Sequence, residues 1–294
     1  MKSILERIRG GEVLVSDGAW GTFLHQRGLG DDCPELWNLT HRDDVFAIAK
    51  SYIDAGSDMI LTNSFGGSPS KLGHYGLENQ TFELNEAAAV ISREAAGGDH
   101  YVLGSIGPTG EMLMMGTITE EAMLDGFKIQ AEALQKGGVD AICVETMSAI
   151  DEATLAIRAA REVTDLDVIC TFTFEKTATG DFRTMMGVTP EQMLHAVKEA
   201  GVSILGTNCG NGFEQMIEIV KEFRKVDADT PILVHANAGK PQFVDGKTVF
   251  PETPEMMAAH VGELIAAGAN IIGGCCGSTP DHIRAIAAKV RSVA

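Results

Sequence analysis

Positive charge and long apolar runs are what this sequence has least of. Only 23 Lys and Arg stand against 41 Asp and Glu, giving a net charge of −18. Such an acidic chain repels nucleic acid and anionic membrane surfaces, so neither is expected as a partner. No stretch approaches the ~20 consecutive apolar residues that a membrane-spanning helix needs. The opening "MKSILERIRGGEVLVSDGAWG" has no apolar core with a small-residue cleavage site, so no secretory leader is expected and the protein reads as cytoplasmic. Six cysteines in 294 residues are too few for a secreted disulfide framework and should stay thiols in a reducing compartment. Low-complexity linkers and shifts of composition are missing too, which implies one domain over residues 1–294. The glycine-rich stretches "TNSFGGSP" (62–69) and "GSIGPTGEM" (104–112) have the form of neither a P-loop nor a dinucleotide fingerprint.

What is present is a repeated unit. Short β-branched runs at 13–21, 58–66, 101–110, 140–147, 167–174, 203–210, 231–239 and 270–277 each lead into a polar or glycine-rich loop. Amphipathic stretches such as "EEAMLDGFKIQAEALQKGG" (120–138) separate them. Eight such units with nearly continuous apolar strands predict an α/β fold, the (β/α)8 TIM barrel. "VTPEQM", "ETPEMM" and "STPDHI" place Thr at the cap and Pro at the first helical position, which sets the starts of the fifth, seventh and eighth barrel helices. The long segments 22–41 and 64–80 follow strands one and two, on the side where barrels build their pockets.

Reactive side chains at strand ends then carry the functional question. Strand six ends in Asn208-Cys209 and strand eight in "GGCCGSTPDH", with Cys275 and Cys276 adjacent, so three thiols converge on one rim. A three-thiolate zinc site with one open position fits that convergence; plain burial and a redox pair are the alternatives. Cys143 and Cys170 lie inside strands and read as core, and Cys33 as incidental. Asp17 and Glu145 end strands one and four on the same rim, where they could cap helices or together hold an ammonium group. The loop at Gly18 and Ala19 offers backbone N–H groups to a carboxylate. These features describe an amino-acid site beside a metal. His235 suits a core histidine as well as a ligand, and "EMLMMG" (111–116) suits packing better than a special box.

The order of "DGAWGT", "GSDMILTNSF", "GSIGPTGE", "VET", "TNCG", "NAGKP" and "GGCCGSTPDH" resembles the homocysteine S-methyltransferase family over about residues 13–285. The resemblance implies that Cys209, Cys275 and Cys276 are zinc thiolates. It implies that Asp17 and Glu145 hold the homocysteine amino group, and that the amides after strand one take its carboxylate. Asn237 matches a position that fills the fourth zinc site until substrate arrives. The implied activity is methylation of homocysteine to methionine, its thiol (pKa ~8.5) being ionised by the metal.

The resemblance leaves the methyl donor to finer features. Betaine users in the family carry tyrosines after strand two and after the strand-four Glu; this chain has Gly66 or Gly67 and Thr146 there. Trp20, Trp37 and Tyr75 are the residues left to build a different cation–π cage. The phrasing "ILTNSF", "GPTGE" and "NAGKP" is closer to cobalamin-dependent methionine synthase, although the sequence contains no "DxHxxG" corrinoid signature. A methyl-corrinoid presented by a separate domain or protein is therefore the expected donor, with betaine, S-methylmethionine or a methylated amine as alternatives. The same features would also serve a non-catalytic, zinc-dependent thiol-binding subunit.

Overall fold

The computed structural model describes residues 1–244 and 246–293. Its centre is a parallel sheet of eight strands: β1 (Leu14–Val15), β2 (Met59–Leu61), β3 (Tyr101–Ile106), β4 (Ala141–Met147), β5 (Asp167–Phe172), β6 (Ile204–Asn208), β7 (Ile232–Ala236) and β8 (Ile271–Gly274). Each is followed by a long helix: α1 (Arg42–Ala55), α2 (Thr81–Ala96), α3 (Glu120–Lys136), α4 (Ile150–Val163), α5 (Pro190–Ala200), α6 (Phe213–Val226), α7 (Pro254–Ala267) and α8 (Pro280–Val293). The strand order β1-β8-β7-β6-β5-β4-β3-β2 is that of the expected (β/α)8 barrel.

The strands read as apolar without alternation because both of their faces are covered. One set of side chains, including Leu14, Leu103, Cys143, Ile169 and Leu233, fills the barrel interior. The other, including Val15, Ile60, Val144, Cys170 and Val234, packs against the helices. Cys143 and Cys170 are thus core residues, as their positions implied. Each buried aliphatic side chain contributes roughly 1.5–3 kcal/mol.

The seam between β1 and β2 is closed by carboxylates as well as backbone. Asp58 N–H donates to Val15 O at 2.7 Å, while the Val15 N–H donates to Asp58 Oδ2 at 2.9 Å. One step higher, the Leu61 N–H donates to Asp17 Oδ2 at 2.8 Å. Asp17 therefore has a structural duty whatever else it does.

The three Thr-Pro signals mark helix starts as expected: Thr189 accepts from Gln192 N–H in a reciprocal capping box, Thr253 accepts from Met256 N–H, and α8 begins at Pro280. Several elements were not anticipated. A helix Ile4–Arg9, capped by a Ser3–Glu6 box, buries Ile4 and Ile8 in the floor of the barrel. Two small hairpins, Glu175–Lys176 with Phe182–Arg183 and Gln242–Val244 with Lys247–Val249, rise from the loops after β5 and β7. The segments 22–41 and 64–80 hold short helical turns, among them Pro34–Leu36 and Pro69–Gly73. The strands themselves are shorter than the runs read from sequence, because their ends curl into the loops that carry the site. Among the described residues, no helix is long and apolar enough to cross a membrane.

Candidate metal and amino-acid site

The three cysteines meet where they were expected to. The Sγ atoms of Cys209, Cys275 and Cys276 all lie within 4.8 Å of one another, with 4.0 Å between Cys209 and Cys276. Strand β7, lying between β6 and β8, ties both loops down. The Cys209 N–H donates to His235 O at 3.0 Å, the Cys275 N–H to Ala236 O at 2.6 Å, and the Ala238 N–H to Cys276 O at 3.0 Å. Glycine is required at the foot of the double-cysteine turn. A Cβ at Gly274 would sit 2.2 Å from Ser278 Oγ, whose hydroxyl donates to Cys275 O. Cys209 itself takes a left-handed backbone conformation, φ 61°.

The residues present fit a bound divalent metal. Thiolates ~2.3 Å from a tetrahedral ion lie about 3.8 Å from each other, close to the spacing seen. Without a cation the cluster cannot ionise fully: hydrogen bonds from Cys275 and Cys276 hold the Cys209 thiol far below its usual pKa. Sharing with the Cys209 sulfur drives the other two up. Asn237 adds a buried Oδ1 that has no hydrogen-bond partner among the described residues, and its side chain favours the ionised Cys209.

These thiols form one wall of a cavity of about 370 Å3. Gly18, Ala19 and Trp20 line it from the loop after β1, Thr62 to Phe65 from the loop after β2, Ser105 from β3, and Glu145 and Thr146 from β4. Among the described residues no Lys or Arg lines it, and no cation acts on Glu145, whereas Glu35 feels the charge of Lys71 from outside the lining. Glu145 is buried, with Ser105 Oγ donating to its Oε1. Burial raises its carboxyl to about 7, opposed by the Ser105 bond and reinforced by the negative charges of Asp17 and Cys209.

Asp17 is fully buried beneath this wall rather than part of it. Its Oδ2 accepts from the Trp20 indole N–H and from the Leu61 N–H, both at 2.8 Å, and its Oδ1 from the Ser16 hydroxyl at 3.3 Å. Burial nonetheless lifts its carboxyl to about 7. The Ala19 N–H donates to Ser278 Oγ at 3.1 Å, while the Gly18 N–H has no acceptor among the described residues. Asn237 stands behind the cluster and outside the cavity lining.

The turn at the end of β4 is strained. Thr146, β-branched, has φ 63°, a conformation that costs about 1–3 kcal/mol unless its surroundings enforce it. Asn208 holds that turn, its Oδ1 accepting from the Thr146 N–H at 2.9 Å; the sequence reading named it as the end of strand six and gave it no role. Glu35 was also missed. It lines the cavity from the segment 22–41, accepts from the Gly66 N–H at 2.6 Å and from the Cys33 thiol at 3.4 Å, and is raised in pKa by burial.

Gly66 and Gly67 cannot be read as vacant places. A Cβ on Gly66 would lie 3.0 Å from Glu35 Oε1, and one on Gly67 would lie 2.3 Å from Asn85 Oδ1. Of the three aromatics available for another cage, only Trp20 lines the cavity. Trp37 is buried and stacked on His41, and Tyr75 is exposed. His235 does reach the cavity lining, but as a buried imidazole whose pKa is lowered by burial to about 4.

The carboxyl-terminal rim of this (β/α)8 barrel thus brings a metal-competent thiol cluster and the buried Glu145 carboxyl to one cavity. Comparison makes the assignment specific, because the family model for homocysteine S-methyltransferase matches residues 14–290. The chain belongs to that family. It is 34% identical over 298 residues to methionine synthase of Mycobacterium leprae, covering 95% of this chain and 24% of the relative. To the methionine synthase of Mycobacterium tuberculosis it is 32% identical over 301 residues, covering 96% and 25%. The chain thus spans about a quarter of the length of these curated relatives. Its fold matches the homocysteine methyltransferase MmuM from Escherichia coli in its metallated form, with TM-score 0.79 at 23% identity over 98% of this chain and 100% of that one. The oxidized form of MmuM gives TM-score 0.79 at 22% identity over the same shares.

Proposed function

We propose that this barrel binds zinc and homocysteine and catalyses transfer of a methyl group to the homocysteine sulfur, forming methionine. The observation that carries the reading is the meeting of three thiols with a buried, cation-free carboxyl in a single cavity. Cys209, Cys275 and Cys276 would hold the zinc, which supplies the Lewis acidity that ionises a thiol near neutral pH.

The chain's own residues do the rest. Glu145, fixed by Ser105, accepts the substrate ammonium, and Asp17 adds negative charge from beneath the wall. The free Gly18 amide and the loop through Ala19 receive the carboxylate. Trp20 and Phe65 cover the substrate's apolar stem and exclude water, so that sulfur and methyl can approach in line. Asn237, whose Oδ1 has no hydrogen-bond partner among the described residues and whose side chain bonds Cys209, would be the further group able to ligate the zinc.

The donor is a methyl-corrinoid presented by another domain or protein. Identity to methionine synthases over nearly the whole chain supports this, and no tyrosine is among the described residues that line the cavity. Residues 1–294 act as one homocysteine-binding domain, working in the reducing cytoplasm that its thiols require. The test is to supply zinc-loaded protein and homocysteine with methylcobalamin, betaine or S-methylmethionine in separate reactions and measure methionine. Methylcobalamin should give the largest kcat/KM; a betaine value tenfold higher overturns the donor assignment. No methionine from any donor, with homocysteine still bound, would make the chain a binding subunit.

A further inference from the structure

The two left-handed non-glycine residues among the described residues, Thr146 and Cys209, end neighbouring parts of the site, and one fully buried amide touches or adjoins both. Asn208 Oδ1 accepts from the Thr146 N–H at 2.9 Å and from the Thr171 hydroxyl at 2.8 Å. Its Nδ2 donates to Thr146 Oγ1 at 2.7 Å and faces Glu145 Oε2 at 3.4 Å. A backbone N–H can only donate, so the orientation of this amide is determined. Every donor and acceptor of the side chain is engaged, and all of its partners lie on β4 and β5, across the barrel from the double cysteine.

Asn208 is also covalently joined to Cys209. Because the two residues share a peptide bond, a shift of the backbone that aims the Cys209 sulfur displaces the amide that holds Thr146 and faces Glu145, and loss of that amide's contacts to β4 and β5 frees the backbone at Cys209. We propose that Asn208 is a positioning residue that couples the amino-acid half of the site to its metal half, setting Glu145 and Cys209 in register. The inference rests on the homocysteine reading for the first half only.

Replacement by Ala separates this role from simple support of Glu145, because Ser105 supports Glu145 without touching the thiols. Two readouts are needed: homocysteine affinity by calorimetry, and the cobalt–thiolate absorption of protein loaded with cobalt(II) alone. Asn208→Ala should weaken homocysteine at least tenfold and shift the cobalt spectrum, whereas Ser105→Ala should weaken homocysteine and leave the spectrum unchanged. An unaltered spectrum in Asn208→Ala overturns the coupling. Should that variant fail to fold, Thr171→Val removes one hydrogen bond to the same amide; about a fivefold loss of affinity with a spectral shift supports the inference, and no change in either overturns it. If the wild-type chain fails to bind homocysteine, the substrate reading falls, while the cobalt comparison still decides whether Asn208 sets the thiols.

Discussion

Glu145→Gln removes one charge and almost no volume, and the structure sets the size of the effect. The carboxyl is buried in a cavity without Lys or Arg, so an incoming ammonium is the cation it lacks. A charge-assisted hydrogen bond there is worth about 1.5–3 kcal/mol, or roughly tenfold to more than a hundredfold in affinity. The pH dependence gives a second, independent magnitude. With its carboxyl raised to about 7 by burial, the free site is mostly protonated at pH 6 and must release a proton to bind an ammonium; affinity should fall about tenfold from pH 8 to pH 6.

Stability of the unliganded protein runs the other way. A carboxyl raised in the folded state holds its proton more tightly than in the unfolded chain. Its contribution is therefore greatest in acid and declines as pH rises from the usual carboxylate range to about 7, by on the order of 3 kcal/mol. The assay is calorimetry with 2-aminobutyrate, which keeps the ammonium and lacks the thiol, in buffers of different ionisation enthalpy. Wild type should release protons on binding below about pH 7, where the free carboxyl is protonated, and Glu145→Gln should lose both affinity and most of that release, Asp17 supplying the remainder. Equal binding by wild type and variant, with no pH dependence in either, would refute the reasoning.

Cys275→Ala should abolish stoichiometric zinc while leaving the barrel's circular dichroism unchanged, because the thiols lie at the rim and outside the two core clusters; full retention of zinc would sink the ligand assignment. Gly67→Ala places a Cβ 2.3 Å from Asn85 Oδ1, in a buried pair that also binds Gly67 O, and should cost about 1–3 kcal/mol, read as a Tm lowered by several degrees. A larger residue at 67 should not create a betaine cage, and betaine turnover in Gly67→Tyr would show that the loop is softer than the packing implies.

The architecture was legible because its signals are periodic or chemically unusual. Eight apolar runs and three Thr-Pro caps are local features that barrel packing reinforces, and the adjacent pair Cys275-Cys276 with Cys209 has few innocent uses at strand ends. Elements stabilised by little burial escaped notice. The hairpin strand residues Gln242–Val244 and Lys247–Val249 are all exposed, so no alternation of apolar and polar residues marks them. The first helix could have been found, since Ser3-Ile-Leu-Glu6 is a capping-box pattern ahead of an arginine-rich turn.

Within the site, residue type was readable and direction was not. Asp17 was identified as an acid on the rim, yet its Oδ2 is used by Leu61 and Trp20 to close the seam between strands. Glu35 and Asn208 depend on contacts across 31 and 62 positions of sequence, which no local pattern announces.

The central claim is that three cysteine thiolates hold a zinc ion that takes the substrate sulfur. X-ray absorption at the zinc edge tests it most directly, by counting sulfur neighbours at about 2.3 Å before and after saturation with homocysteine. The account predicts three sulfurs and one lighter ligand without substrate, becoming four sulfurs with it. A count that starts below three, or that stays at three with homocysteine bound, would contradict it.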